Sequence, residues 1–185
     1  IGYSQIVDHP ALNETRRGFL DALRQAGFVQ GQNLVFDYQN AQGDVGNART
    51  IAEKFIADRV DLIAPCTTPN VQAAIRVARG STIPVVFGCV TNPVDSGIIQ
   101  SLDQPTGANI TGHYGIPPVA QMFDLAAQLS PQARRFGTIY NAAETNSQIV
   151  NRRAKAEAER RGLQWIEVQI ASSAEVRTAI ESLVG

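Results

Sequence analysis

Four polar turns in this chain place hydroxyls and carboxamides beside the start of a helix. They are Ser4-Gln5, Thr67-Thr68-Pro69-Asn70, Thr91-Asn92-Pro93 and the run from Asn141 to Ser147. The second turn is the most explicit. An apolar strand (62–64) leads into it, and a helix with Val71, Ala74, Ile75 and Ala78 on one face follows. Pro69 suits the first helical position, and Thr67 or Thr68 is placed to cap the free amides. Hydroxyls and open N–H groups at a helix N-terminus favour a carboxylate or a phosphate. A plain helix cap at Thr68 is the structural alternative.

The remaining reactive side chains are sparse. Cys66 and Cys89 end neighbouring strands of one sheet, ~5 Å apart. Two thiols and a disulfide both fit that placement. His9 and His113 are isolated, and no Cys/His spacing supports a metal site. No cofactor motif is present. Trp165 lies on a strand with Ile166, Val168 and Ile170, which points to packing. The pairs Arg152-Arg153 and Arg160-Arg161 read as solvated helix surface or as a docking face.

The elements that must carry these turns alternate. Strands at 1–7, 33–39, 62–64, 83–87 and 109–112 are separated by helices with Leu12, Phe19 and Leu23, then Ala48, Ala52 and Phe55, then Val71 and Ala74 inward. Gly27 sits where a left-handed helix cap belongs, and Gly31 makes a turn. Strand–helix alternation means a parallel sheet with helices on both faces. Ligands of such sheets sit beyond the strands' carboxyl ends, where the strand order reverses. Three of the four turns fall there.

The pattern restarts after Gly112. Pro117-Pro118 opens a helix with Val119, Met122, Phe123 and Ala126 inward, and residues 136–140 form a strand. The 141–147 turn leads into a charged helix closed by Gly162. A strand over 163–170 follows, and Ser172-x-x-Glu175 is a capping box for a last helix. Residues 1–113 thus form one α/β lobe and 114–185 the first part of a second, hinged near 113–117. Two strands are too little sheet for three helices, so the second lobe is expected to continue past Gly185.

With 185 residues, 44% of them hydrophobic, and a net charge of -1, the chain can build a core and carries no basic run to attract nucleic acid. No apolar run approaches the ~20 residues of a membrane span.

Several runs together resemble one family. They are Ser4 through Leu12, Phe36 through Asp44, the Thr-Pro-Asn turn, Val90-Thr91-Asn92-Pro93-Val94, Gly107 through Gly112 and Ile139-Tyr140-Asn141. They are similar, in the same order, to the substrate-binding proteins of ABC importers that include tryptophan- and phenylalanine-binding members. The resemblance implies a type I periplasmic binding protein: two Rossmann-like lobes closing on a small solute, with no catalysis and no cofactor. It also implies a periplasmic protein or lipoprotein with a membrane permease as partner. By this resemblance Thr67, Thr68 and Asn70 hold a ligand carboxylate with the helix amides, and Asn141, Asn146 and Ser147 present the same device from the second lobe. Gln5, Thr91 and Asn92 line the first lobe's floor, and Tyr114, just past the fifth strand, covers an apolar side chain. Asn141 and Asn146 as turn formers and Tyr114 as hinge packing are the structural alternatives.

The chain departs from the family's commoner pattern at two positions: Asn70 stands where Ser is usual, and Asn92 where Asp is usual. An Asp there assists an ammonium group, so the identity of the solute stays open. Two other classes stand beside the importer component. Cys66-Thr67-Thr68 and Gly88-Cys89-Val90-Thr91 are superficially similar to the motifs of two-cysteine amino-acid racemases, which need one thiol on each face of the substrate carbon. The same fold also serves as the ligand-sensing domain of regulators.

Overall fold

The computed structural model describes residues 1–104 and 109–184. Gly107 and Ala108 of the family-like runs, and Gly185, lie outside the described residues. The chain divides into two compact units, Ile1–Gly115 and Ile116–Gly185. Among the described residues no helix is long and apolar enough to cross a membrane.

Unit 1 runs β1 (Gly2–Gln5), α1 (Pro10–Gln25), β2 (Asp37–Asn40), α2 (Val45–Ala57), β3 (Ile63–Cys66), α3 (Thr68–Val77), β4 (Val85–Val90) and β5 (Ile110–Tyr114). All five strands are parallel, in the order β2-β1-β3-β4-β5. The order reverses between β1 and β3, so their carboxyl ends, Gln5 and Cys66, flank the switch point.

The two sheet faces are filled differently. Phe55 of α2 packs with Ile63, Val85 and the alanines Ala52, Ala74 and Ala78. A Cβ on Gly2 would lie 2.5 Å from the Phe55 ring, so β1 needs glycine where the helix presses on it. The α1 face is aromatic, with Tyr3 at 5.6 Å from both Phe19 and Phe36. Gly27 closes α1 at φ +89°, as its position after Ala26 predicts.

The second strand begins later than its alternating pattern suggests. Asn33 bends the backbone before it, accepting from the Val29 amide at 2.7 Å and donating to the Gly27 carbonyl at 2.9 Å. That side-chain turn consumes residues 29–33 and leaves Val35 exposed. The fourth strand extends further than expected, through Gly88 and Cys89 to Val90, and Tyr114 is the last residue of β5 rather than lying beyond it.

Unit 2 holds α4 (Val119–Leu129), β6 (Arg135–Asn141), α5 (Thr145–Arg160), β7 (Gln164–Ile170), a 3-10 turn (Ser173–Glu175) and α6 (Val176–Val184). Its sheet is the parallel pair β6-β7. Phe123 packs on Phe136 and Trp165, with ring centroids 5.3 and 6.0 Å away. The Trp165 indole donates to Asn151 Oδ1 at 3.0 Å, and its ring packs in the Phe123 cluster. The Glu175 carboxylate accepts from the Ser172 amide at 3.0 Å, completing the capping box. Met122, expected inward, is 58% exposed. Its helix meets a sheet of only two strands, which covers Phe123 and leaves Met122 on the rim of an open groove.

Arg161 is not the solvated surface residue its neighbourhood suggests. It pairs with Glu157 at 2.6 Å and Asp124 at 2.7 Å and donates to the Ala120 carbonyl at 3.0 Å, tying α5 to α4. Hydrogen bonds from Arg160 and Arg161 hold the Glu157 carboxyl down at about 2 from its ordinary 4.5. A depressed carboxyl stabilises the fold above the unfolded value and loses that contribution as the pH falls through the folded one. The stability gap between the wild type and Glu157→Gln should therefore be full above pH 4.5 and close by about pH 2. Urea titrations followed by Trp165, the chain's one tryptophan, measure it.

Candidate ligand-binding site

The carboxyl ends of β1, β3 and β4 bring Gln5, Thr67, Thr68, Asn70, Thr91 and Asn92 to one edge of unit 1. The α3 N-terminus opens on that edge, and its first-turn amides have no partner within the helix. Thr67 sits just before it with φ +84°, a conformation a β-branched residue rarely adopts. This backbone turns the chain from strand to helix in one residue, with the Thr67 amide donating to the Gly88 carbonyl at 3.0 Å.

The expected side-chain cap is not made. Thr67 makes no capping hydrogen bond. Thr68 is buried, and its Oγ1 accepts from the Thr91 amide at 3.4 Å, linking the β3 and β4 turns. Asn70 is buried as well and reaches back to β1. Its Nδ2 donates to both the carbonyl and the Oγ of Ser4, each at 2.8 Å. Gln5 is fully enclosed, donating to Asn13 Oδ1 at 3.1 Å and the Val7 carbonyl at 3.3 Å. Asn13 in turn donates to Asp8 at 2.7 Å. Asn92 shapes its own turn, its Oδ1 accepting from the Val94 and Asp95 amides and its Nδ2 donating to Asp95 Oδ2. Thr67 and Thr91 remain partly accessible at the edge, over a buried layer of Gln5, Thr68, Asn70 and Asn92. Tyr114, at the end of β5, is 38% exposed.

In unit 2, Asn141, Asn146 and Ser147 line a groove of about 670 Å³ floored by Phe123, Phe136 and Trp165. The device of α3 is not repeated there. Glu144 stands at the start of α5, and its Oε2 accepts from Asn146 Nδ2 and Ser147 Oγ, each at 3.3 Å. Asn141 Oδ1 accepts from the Ala143 amide at 2.9 Å and shapes the turn. With a protein carboxylate already at the helix start, this turn suits a cation better than a second anion.

Sequence reasoning singled out Ser4 as part of the first polar turn but not as the partner of Asn70, and it missed the roles of Asn13 and Glu144. Ser4 is 66 positions from Asn70, so no local spacing links them, whereas Asn13 meets Gln5, eight positions back, only because the turn after β1 folds α1 over it. Glu144 had a signal: an acidic residue just before a helix that begins with Thr145.

The family model for ABC transporter substrate binding proteins matches residues 1–185. This chain belongs to that family. As an ABC transporter substrate binding protein, it is 38% identical over all 185 residues to the tyrosine-binding protein of Clostridioides difficile (strain R20291), and spans 53% of that relative's length. It is also similar to the crystal structure of a conserved domain protein from Vibrio cholerae, with a TM-score of 0.93, 36% identity, and coverage of 98% of this chain and 60% of that one. An ABC domain from Streptococcus pneumonia crystallised with L-Trp gives a TM-score of 0.89 at 27% identity, over 98% of this chain and 60% of that one. The chain therefore spans about half to three-fifths of these relatives, and its α/β units have the type I periplasmic binding protein fold with the second lobe incomplete.

Membership of a binding family and the sheet geometry bear on the racemase alternative in the same direction. Cys66 and Cys89 are free thiols in one cluster on one face of one sheet. That placement does not present sulfur to opposite faces of a substrate carbon.

Proposed function

We propose that this substrate-binding protein takes a free amino acid with an aromatic or branched apolar side chain, as the extracytoplasmic recognition component of an ABC importer. It works outside the cytoplasmic membrane, soluble or lipid-anchored, and delivers its solute to a permease. The observation that carries the reading is the edge of unit 1. A helix start, two threonines and a strained Thr67 backbone stand at the sheet's switch point over a hydrogen-bonded floor. Such an edge suits the carboxylate of the solute, held by α3 amides with Thr67 and Thr68 beside them. A tyrosine-binding relative and a tryptophan-bound neighbour support an aromatic amino acid as the solute.

The test is a thermal-shift and calorimetry series on the full chain with tyrosine, tryptophan, phenylalanine and leucine, against sugars and nucleosides. A ligand at 100 times its dissociation constant adds ~2.7 kcal/mol of stability. Thr68→Val should weaken the responding amino acid by ~1–3 kcal/mol, since it removes a hydroxyl beside the anion and the partner of the Thr91 amide. Unchanged affinity in that variant would remove the carboxylate from the α3 edge. A response confined to sugars or nucleosides would discard the amino acid.

A further inference from the structure

The two cysteines are brought together by an irregularity in β4. Register pairs Cys66 with Gly88, so regular alternation would place Cys89 on the opposite face with Val85 and Phe87. Those two side chains do pack there, in the clusters of Ile63 and of Val71. Cys89 does not follow them. The register shifts between Phe87 and Val90, and Cys89 takes φ +54°. A bulge of this kind re-aims a side chain, and here it swings Cys89 onto the α1 face beside Cys66 and Tyr3. Gly88 leaves the space in front of its own Cα open. Cys89 is held from the far side by Thr15 of α1, its Sγ donating to the hydroxyl at 3.5 Å.

We propose that Cys66 and Cys89 are a reactive dithiol pair that closes to an intramolecular disulfide, joining β3 to β4 directly beneath the Thr67-Thr68 and Thr91 turns.

The division of labour follows from access and charge. Cys66 is 1% exposed and Cys89 is half-buried, so an oxidant meets Cys89 first. The strongest influence on each thiol is the other: it lowers Cys89 and, with burial, pushes Cys66 up. Cys89 is therefore the more readily ionised of the two thiols, and Cys66 the one that keeps its proton longer. The oxidant is a disulfide-bearing molecule. The Cys89 thiolate attacks one of its sulfurs, forming a mixed disulfide and expelling the first thiolate. Cys66 then loses its proton and attacks the Cys89 sulfur, expelling the second. The protein gives up two electrons and two protons, and the oxidant disulfide is reduced to two thiols. The pairing of Cys66 with Cys89 is independent of which solute is bound.

Glutathione disulfide on the reduced full chain tests it, followed by a non-reducing tryptic map. Cleavage at Arg59, Arg76, Arg79 and Arg134 places the two cysteines in separate fragments, 60–76 and 80–134. Those fragments should run as one covalent species, separated again by reductant. Cys66→Ser should retain glutathione on Cys89, and Cys89→Ser should leave Cys66 unmodified. Unlinked fragments from the wild type, with both thiols free or with glutathione persisting on Cys89, would overturn the pairing. The decisive map is that of the wild type, so the result holds even where a variant fails to fold.

Discussion

Phe55→Ala should cost this protein about 3–5 kcal/mol, the usual range for emptying a fully enclosed phenylalanine site. Phe55 has no exposed surface and is the largest side chain in the cluster between α2, α3 and the sheet. Its neighbours are poorly placed to collapse into the gap. Three of them are the alanines Ala52, Ala74 and Ala78, and the backbone below is Gly2, whose missing Cβ makes room for the ring. Against a total stability of about 5–15 kcal/mol for a typical domain, such a loss is a large share. Urea unfolding by circular dichroism gives the number, and Phe55→Leu should recover part of it. A loss under about 1 kcal/mol would mean the α2–sheet packing is not as described.

Asn70→Ala should cost about 2–4 kcal/mol of stability with no ligand present. Both hydrogen bonds of its amide run to Ser4, from a side chain only 1% exposed, so the truncation leaves a buried carbonyl and a buried hydroxyl without their donor. An orphaned buried group costs about 1–3 kcal/mol. Asn70→Ser, the residue more usual at this turn, should cost nearly as much, because a serine side chain is too short to span to β1. The same unfolding titration measures both variants. This effect is distinct from that of Thr68→Val, which should appear chiefly in affinity. If Asn70→Ala instead left stability intact and abolished amino-acid binding, Asn70 would be a ligand contact rather than the tie between α3 and β1.

Much of both units was legible in the chain because their signals are local. The parallel sheet follows from apolar runs alternating with amphipathic helices, and Gly27, Gly162 and the Ser172–Glu175 box mark helix ends through backbone chemistry that acts within a few residues. The switch-point edge follows from polar residues at the ends of successive strands. Local patterns failed where a side chain reached out of its own segment. Asn33 delayed β2 by bonding the backbone of 27–29, and Arg161 left the surface to join α4.

By itself, then, the amino-acid sequence determined the fold class, the family and the strand ends at which polar side chains gather, because hydrophobic period and turn residues act over short distances. The tertiary structure decided what each polar residue there does. Thr68 bonds the Thr91 amide, Asn70 ties α3 to Ser4, Asn92 serves its own turn, and Glu144 occupies the α5 start. It also decided that Cys89 faces Cys66, which strict alternation along β4 forbids. A hydrogen bond or a bulge depends on where two distant segments meet, and only the folded chain sets that meeting point.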